Sequence, residues 1–245
     1  MSMQGMRADG PVVVGVDGSP GGWDALVWAA AEAAATGCSL RVVHVIERPP
    51  LLDAWSGAGA VPDPSDGLRG AAAAIIAEGV RRAHEVVPDL AVVSRVEGDG
   101  SVPEALIGAS SGSSLLVIGK REGERPWWRC GRRRIVVAIA RRSDCPVAVV
   151  ELRSRPGEVF AGWVLVLDES PRRDSAVMRF ACTAALHRGL DVAVVPPAGP
   201  VLPCHRGAAL VVLGARRPGR RRVRLPVATT RALKAARGPT VLVFA

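Results

Sequence analysis

The sequence lacks any apolar run long enough to cross a bilayer. Stretches such as Ile135–Ala140 fall far short of the ~20 residues that a spanning helix needs. The opening MSMQGMRADG contains no apolar core of a secretory leader, so the chain reads as cytoplasmic with no membrane association. Its five cysteines, Cys38, Cys130, Cys145, Cys182 and Cys204, form no CxxC pair and no metal-ligand spacing. That excludes the common zinc modules and leaves reduced, buried thiols as the expectation. Cys130 alone lies among cationic side chains, which would favour its thiolate. Catalytic signatures are missing as well: there is no Gly-x-Ser-x-Gly elbow, no His-Glu-x-x-His and no Gly-x4-Gly-Lys-Ser/Thr. We therefore expect a protein that is not an enzyme. Lysine is scarce, with only Lys120 and Lys234 present, so positive charge is carried almost wholly by arginine.

What is there begins with an ordinary globular composition. The 245 residues are 49% hydrophobic and 22% charged, enough for one large domain or two small ones. The net charge of +9 is unevenly spread. Residues 1–118 hold seven Arg and fourteen Asp/Glu, a net of −7, whereas residues 119–245 hold 25 Arg/Lys and nine Asp/Glu, a net of +16. Such asymmetry suggests a polyanionic partner for one surface.

Short apolar runs at Val12–Val16, Leu40–Ile46, Leu90–Val96, Leu115–Ile118 and Val147–Val150 read as strands covered on both faces. Helical patterns at Asp24–Ala35, Gly70–Val86, Val102–Ser110 and Ile135–Arg142 alternate with them. Alternation of this kind predicts an α/β fold with a parallel sheet. Residues 49–69, rich in Pro, Gly, Ser and Asp, read as a surface loop. The second half then repeats the first. VVVGVDGSP (12–20) is echoed by WVLVLDESP (163–171), aligning Asp17 with Asp168. SLLVIGKREG (114–123) is echoed by ALVVLGARRPG (209–219), and CPVAVV (145–150) by GPTVLVF (238–244). A further echo, ALVWAAAEAAATGCSLRVVHV (25–45) with AVMRFACTAALHRGLDVAVV (176–195), ends before the SLLVIGKREG one, and between these two the first repeat spends residues 46–113 and the second only residues 196–208. So short a Pro-rich stretch cannot hold a helix–strand–helix excursion. The second repeat has therefore lost one strand and two helices. The repeats span 10–151 and 160–245, joined by a polar linker at Leu152–Glu158.

The strand ending in Asp17-Gly18-Ser19, the strand ending in VVHV and the closing CPVAVV, at these separations, resemble the universal stress protein family. The resemblance implies two Rossmann-like sheets of the adenine nucleotide alpha hydrolase-like kind with flanking helices, the second repeat truncated. It also implies pairing of the repeats through their last strands within one chain, and leaves room for a further homodimer. We expect two abutting parallel sheets related by an approximate twofold, the second with four strands.

Relatives that bind ATP resemble one another in a Gly-x2-Gly-x9-Gly-Ser/Thr loop after the fourth strand, where glycines admit the phosphates close to the backbone. Asp17 matches the family's nucleoside-placing aspartate and Gly119 the first glycine. Lys120 follows it, Gly123 falls one residue late, and Arg133 and Arg134 stand where the Gly-Ser pair would be. The phosphate hydroxyl is thus absent, although guanidinium groups can hold phosphate by a bidentate fork. Asp17 has a second reading as a cap or turn carboxylate. His44 reads as a strand histidine, and Trp23 and Trp28 as packing residues. Trp127 and Trp128 could stack on a base or pin the loop to the body.

Three functions are compatible with this. One is a stress-associated protein that senses a nucleotide, ATP included, or another anionic phosphorylated ligand through residues 119–134. Another is a ligand-free scaffold whose Arg-rich surface meets an acidic protein partner. The last is nucleic-acid association by charge alone, disfavoured because no nucleic-acid-reading fold is recognisable.

Overall fold

A computed structural model describes residues 10–47, 65–98, 101–120, 133–151, 162–167, 172, 174–195, 208–215 and 238–244. In the first half, β1 (Val12–Gly15), β2 (Leu40–Val45), β3 (Val92–Glu97), β4 (Leu115–Gly119) and β5 (Val147–Val150) alternate with helices. These are α1 (Pro20–Thr36), α2 (Ser65–Val86), α3 (Val102–Ser110) and α4 (Arg133–Arg142). The second half supplies β6 (Trp163–Leu167), α5 (Ala176–Arg188), β7 (Asp191–Val195), β8 (Ala208–Ala215) and β9 (Thr240–Phe244).

Helix α1 starts a turn earlier than its apolar periodicity suggests, because Ser19 caps it and Pro20 occupies its first position. The Gly22 amide donates to Ser19 Oγ at 3.2 Å. At the other end Gly37 takes a left-handed φ of 67°, and the Cys38 amide donates to the Ala33 carbonyl at 2.8 Å. Helix α5 uses the same devices. Met178 N–H donates to Ser175 Oγ at 3.2 Å, and Gly189 closes it at φ 61° with Leu190 N–H on the Ala185 carbonyl at 3.0 Å. The repeat seen in the sequence is thus a repeat of start and stop signals. Part of the stretch expected to be loop, from Ser65 onward, is helical as the first turns of α2.

Among the described residues nine strands form one sheet in the order β3-β2-β1-β4-β5-β9-β8-β6-β7. Every neighbouring pair is parallel except β5–β9, which is antiparallel with Ala148 opposite Val241. The two sheets expected to abut are therefore fused by hydrogen bonds into one. The seam runs through the last strand of each repeat. The second half contributes four strands among the described residues, and the place beside β7 that β3 takes beside β2 is unfilled among them.

The antiparallel seam keeps α1 and α5 on one face, over a continuous core that includes Val14, Val42, Val117, Val150, Val166, Val212 and Val241. Trp23 and Trp28 pack against this core. On the opposite face Leu106 and Ile139 lie with Val13, Leu116 and Val147, while Ala140 of α4 reaches across to Leu165, Leu213 and Leu242 of the second half. No helix among the described residues is long and apolar enough to cross a membrane.

Candidate functional site

Strand β1 lies between β2 and β4, so the chain leaves β1 to one side and returns on the other. At such a switch point a crevice opens beyond the carboxyl ends of the strands. A cavity of about 130 Å³ sits there, lined by Asp17, Ser19, Gly22, Gly119 and Val136, with a floor that includes Val16 and Ile118. Asp17 and Gly119, 102 residues apart in sequence, thus border one space. The volume is below the ~300 Å³ at the lower end of enclosed small-molecule sites.

Local geometry explains why these residues meet. Asp17 Oδ1 accepts from the Ser19 amide at 3.0 Å and from the Ser19 hydroxyl. The carboxylate therefore orients the serine that caps α1, which is the turn reading of Asp17, while also bordering the cavity. A Cβ on Gly22 would lie 2.9 Å from Asp17 Oδ1, so glycine there gives the carboxylate its room. A Cβ on Gly119 would lie 2.1 Å from the Gly21 carbonyl oxygen. The end of β4 touches the start of α1 backbone to backbone, and no side chain fits between.

Lys120, next in the chain, donates its amide to the Val150 carbonyl at 2.8 Å. Its ammonium pairs with Glu151, and both side chains are largely buried, at 14% and 10% exposure. Arg133 and Arg134 form the first turn of α4, whose Val136 lines the cavity. Gly123, Cys130, Trp127, Trp128 and Asp168 lie outside the described residues. His44 Nδ1 is 2.8 Å from the Val16 carbonyl, which accepts its proton, so this histidine is satisfied within the sheet. No motif in the sequence points to Glu151. Its signal is the parallel register of β4 with β5, which sets Gly119 beside Val150 and so places the next residue of each strand together.

The second half supplies a control at the same register. Ala215 stands beside Phe244 there, an apolar pair where Lys120 and Glu151 stand in the first half. The ion pair is therefore not a requirement of the fold.

Comparison with known proteins places these features in context. The model of the universal stress protein family matches residues 10–151. A universal stress protein from Archaeoglobus fulgidus DSM 4304 is similar in structure with a TM-score of 0.69, at 14% identity, over 96% of this chain and 98% of its own. A functionally unknown protein from Pseudomonas aeruginosa PAO1 is similar with a TM-score of 0.63, at 14% identity, over 98% of this chain and 94% of its own. At such identities the likeness concerns the fold. No curated protein matches the sequence. With its family match covering more than half of its length, and with Asp17 and Gly119 set at the switch point of a parallel sheet, this chain belongs to the universal stress protein family.

Proposed function

We propose that this chain is a non-catalytic, stress-associated binding protein that takes a small phosphorylated ligand at the Asp17–Gly119 crevice. The observation that carries the reading is the shared cavity at the carboxyl ends of β1 and β4, where open α/β sheets bind ligands. Arg133 and Arg134, at the first turn of α4, replace the family's Gly-Ser pair with side chains able to fork onto a phosphate. ATP binding is expected to be weak, because the cavity is small and the phosphate hydroxyl is missing.

A second reading, a scaffold for an acidic protein partner, is favoured by the net charge of +16 over residues 119–245 and by the commitment of Lys120 to Glu151. Calorimetric titration with ATP, ADP and a nonspecific polyanion at two salt concentrations separates the two. Saturable nucleotide binding that weakens in Asp17→Ala supports the crevice. Binding of the polyanion alone, lost at high salt and indifferent to Asp17→Ala, replaces it with the scaffold.

A further inference from the structure

Helices α1 and α5, aligned on their closing glycines Gly37 and Gly189, can be compared residue by residue. Ala25, Ala29, Glu32 and Ala33 are buried, and so are their counterparts Val177, Ala181, Ala184 and Ala185. Val27, Ala34 and Ala35 are exposed, and so are Arg179, Leu186 and His187. The agreement fails along one stripe. Leu26, Ala30, Leu40 and Val42 are fully buried. Their counterparts are half-buried Met178, exposed Cys182, half-buried Val192 and Val194 at 42% exposure.

The first half shows what that stripe is built to receive. Helix α2 covers it there: a Cβ on its Gly79 would lie 3.3 Å from Val42 Cγ1 and 3.9 Å from Leu26 Cδ2. Among the described residues nothing in the second half stands at the corresponding place. Leu186, at 79% exposure, lies one turn beyond Cys182, past the edge of what α2 covers, since its counterpart Ala34 is exposed as well. The result is an apolar groove between α5 and the edge strand β7, with its template occupant displayed in the same molecule.

We infer that this groove is a docking site for an amphipathic helix of a partner protein, with small residues on its apolar face and acidic residues on its polar face. The small residues follow from Gly79, which lets α2 approach Val42 closely. The acidity follows from charge. The chain carries a net charge of +9, and Arg179 is exposed beside the stripe. The same net charge disfavours a second copy of this chain, which would bring +9 against +9. The groove lies on a different surface from the Asp17 crevice, so it stands independently of any nucleotide.

The probe is a lactam-bridged peptide of the α2 sequence, Ser65–Val86, bearing Arg69→Glu, Arg81→Glu and Arg82→Glu; the unaltered α2 peptide serves for comparison. Alkylation of Cys182 in the full chain, followed by mass spectrometry, is the readout. The acidic peptide should slow it about tenfold at a concentration ten times its dissociation constant, more than the unaltered peptide does, with the effect shrinking at high salt. Val194→Glu should remove the protection. Arg179→Glu, at an exposed position beside the stripe, should weaken binding of the acidic peptide without disturbing the fold. Three outcomes overturn the inference. Cys182 reacts at its free rate at millimolar acidic peptide; it is already shielded in the monomer, so that the chain covers its own groove; or it is shielded only in a dimer seen by sedimentation, so that a second copy fills it.

Discussion

Gly119 shows how one residue can satisfy a binding motif and a packing need together. A phosphate loop wants glycine for backbone access, yet here glycine is already required because the Gly21 carbonyl occupies the space of a side chain. Gly119→Ala should therefore destabilise the protein by about 1–3 kcal/mol with no ligand present, as overpacking against rigid backbone does, measurable as a lowered melting temperature. An unchanged melting temperature would return Gly119 to a purely ligand-related role. Asp17 is similarly divided between orienting Ser19 and bordering the cavity, which is why the sequence left both readings open.

On the outer face of α2, hydrogen bonds from Arg81 and then Arg82 hold the Glu78 carboxyl down from 4.5 to about 2. A carboxyl whose folded pKa is depressed adds stability above its unfolded pKa and loses it as pH falls through the folded value. The Glu78 contribution should thus be complete above about pH 4.5 and fade toward pH 2. Carbon NMR titration of Glu78 should show a midpoint near 2, moving toward 4.5 in Arg81→Ala and at high salt. An ordinary midpoint in the unaltered protein would show that the pairs do not form in solution.

At the scale of elements, α1 and α5 meet across the seam through an asymmetric contact. Glu32, whose side chain is 5% exposed, pairs with Arg188, which also donates to the Ala184 carbonyl at 2.9 Å and lies 6.0 Å from the Trp28 ring centre. By the repeat, the mirrored position holds Ala184 and Thr36, so the pair occurs once at a pseudo-twofold where it could have occurred twice. Glu32→Ala strands a mostly buried guanidinium and should cost about 3–5 kcal/mol, whereas an apolar replacement of both partners should recover much of it. Denaturant unfolding of the single and double variants checks this, and equal losses in both would deny the coupling.

Strand and helix order, the repeat and the truncation were legible because buried parallel strands are short apolar runs and caps carry their own residues. Fusion into one sheet was not legible. Whether two edges such as Val147–Val149 and Thr240–Leu242 abut or hydrogen-bond depends on backbone placement rather than on side-chain pattern. The Lys120–Glu151 pair was hidden for a related reason, since only strand register brings residues 31 apart into contact. Cavity size was out of reach for the same cause, being set by how closely β4 and α1 approach.

For the whole molecule the decisive feature is the single antiparallel junction between β5 and β9. It reverses every strand of the second half relative to the first, so the carboxyl end of β4 at Gly119 and that of β8 at Ala215 lie at opposite margins of the sheet. The arginine clusters at 121–134 and 216–224 follow those two strand ends in the chain. A short anion bound at one of these strand ends therefore cannot touch the other. A long one must either wrap around the sheet or join two molecules, giving the protein the valence of a cross-linker. Light scattering during titration with a long polyanion should then rise to a maximum at intermediate ratios and fall again in excess, while a short oligophosphate leaves it flat. Scattering that stays flat with both would mean that only one margin holds anions.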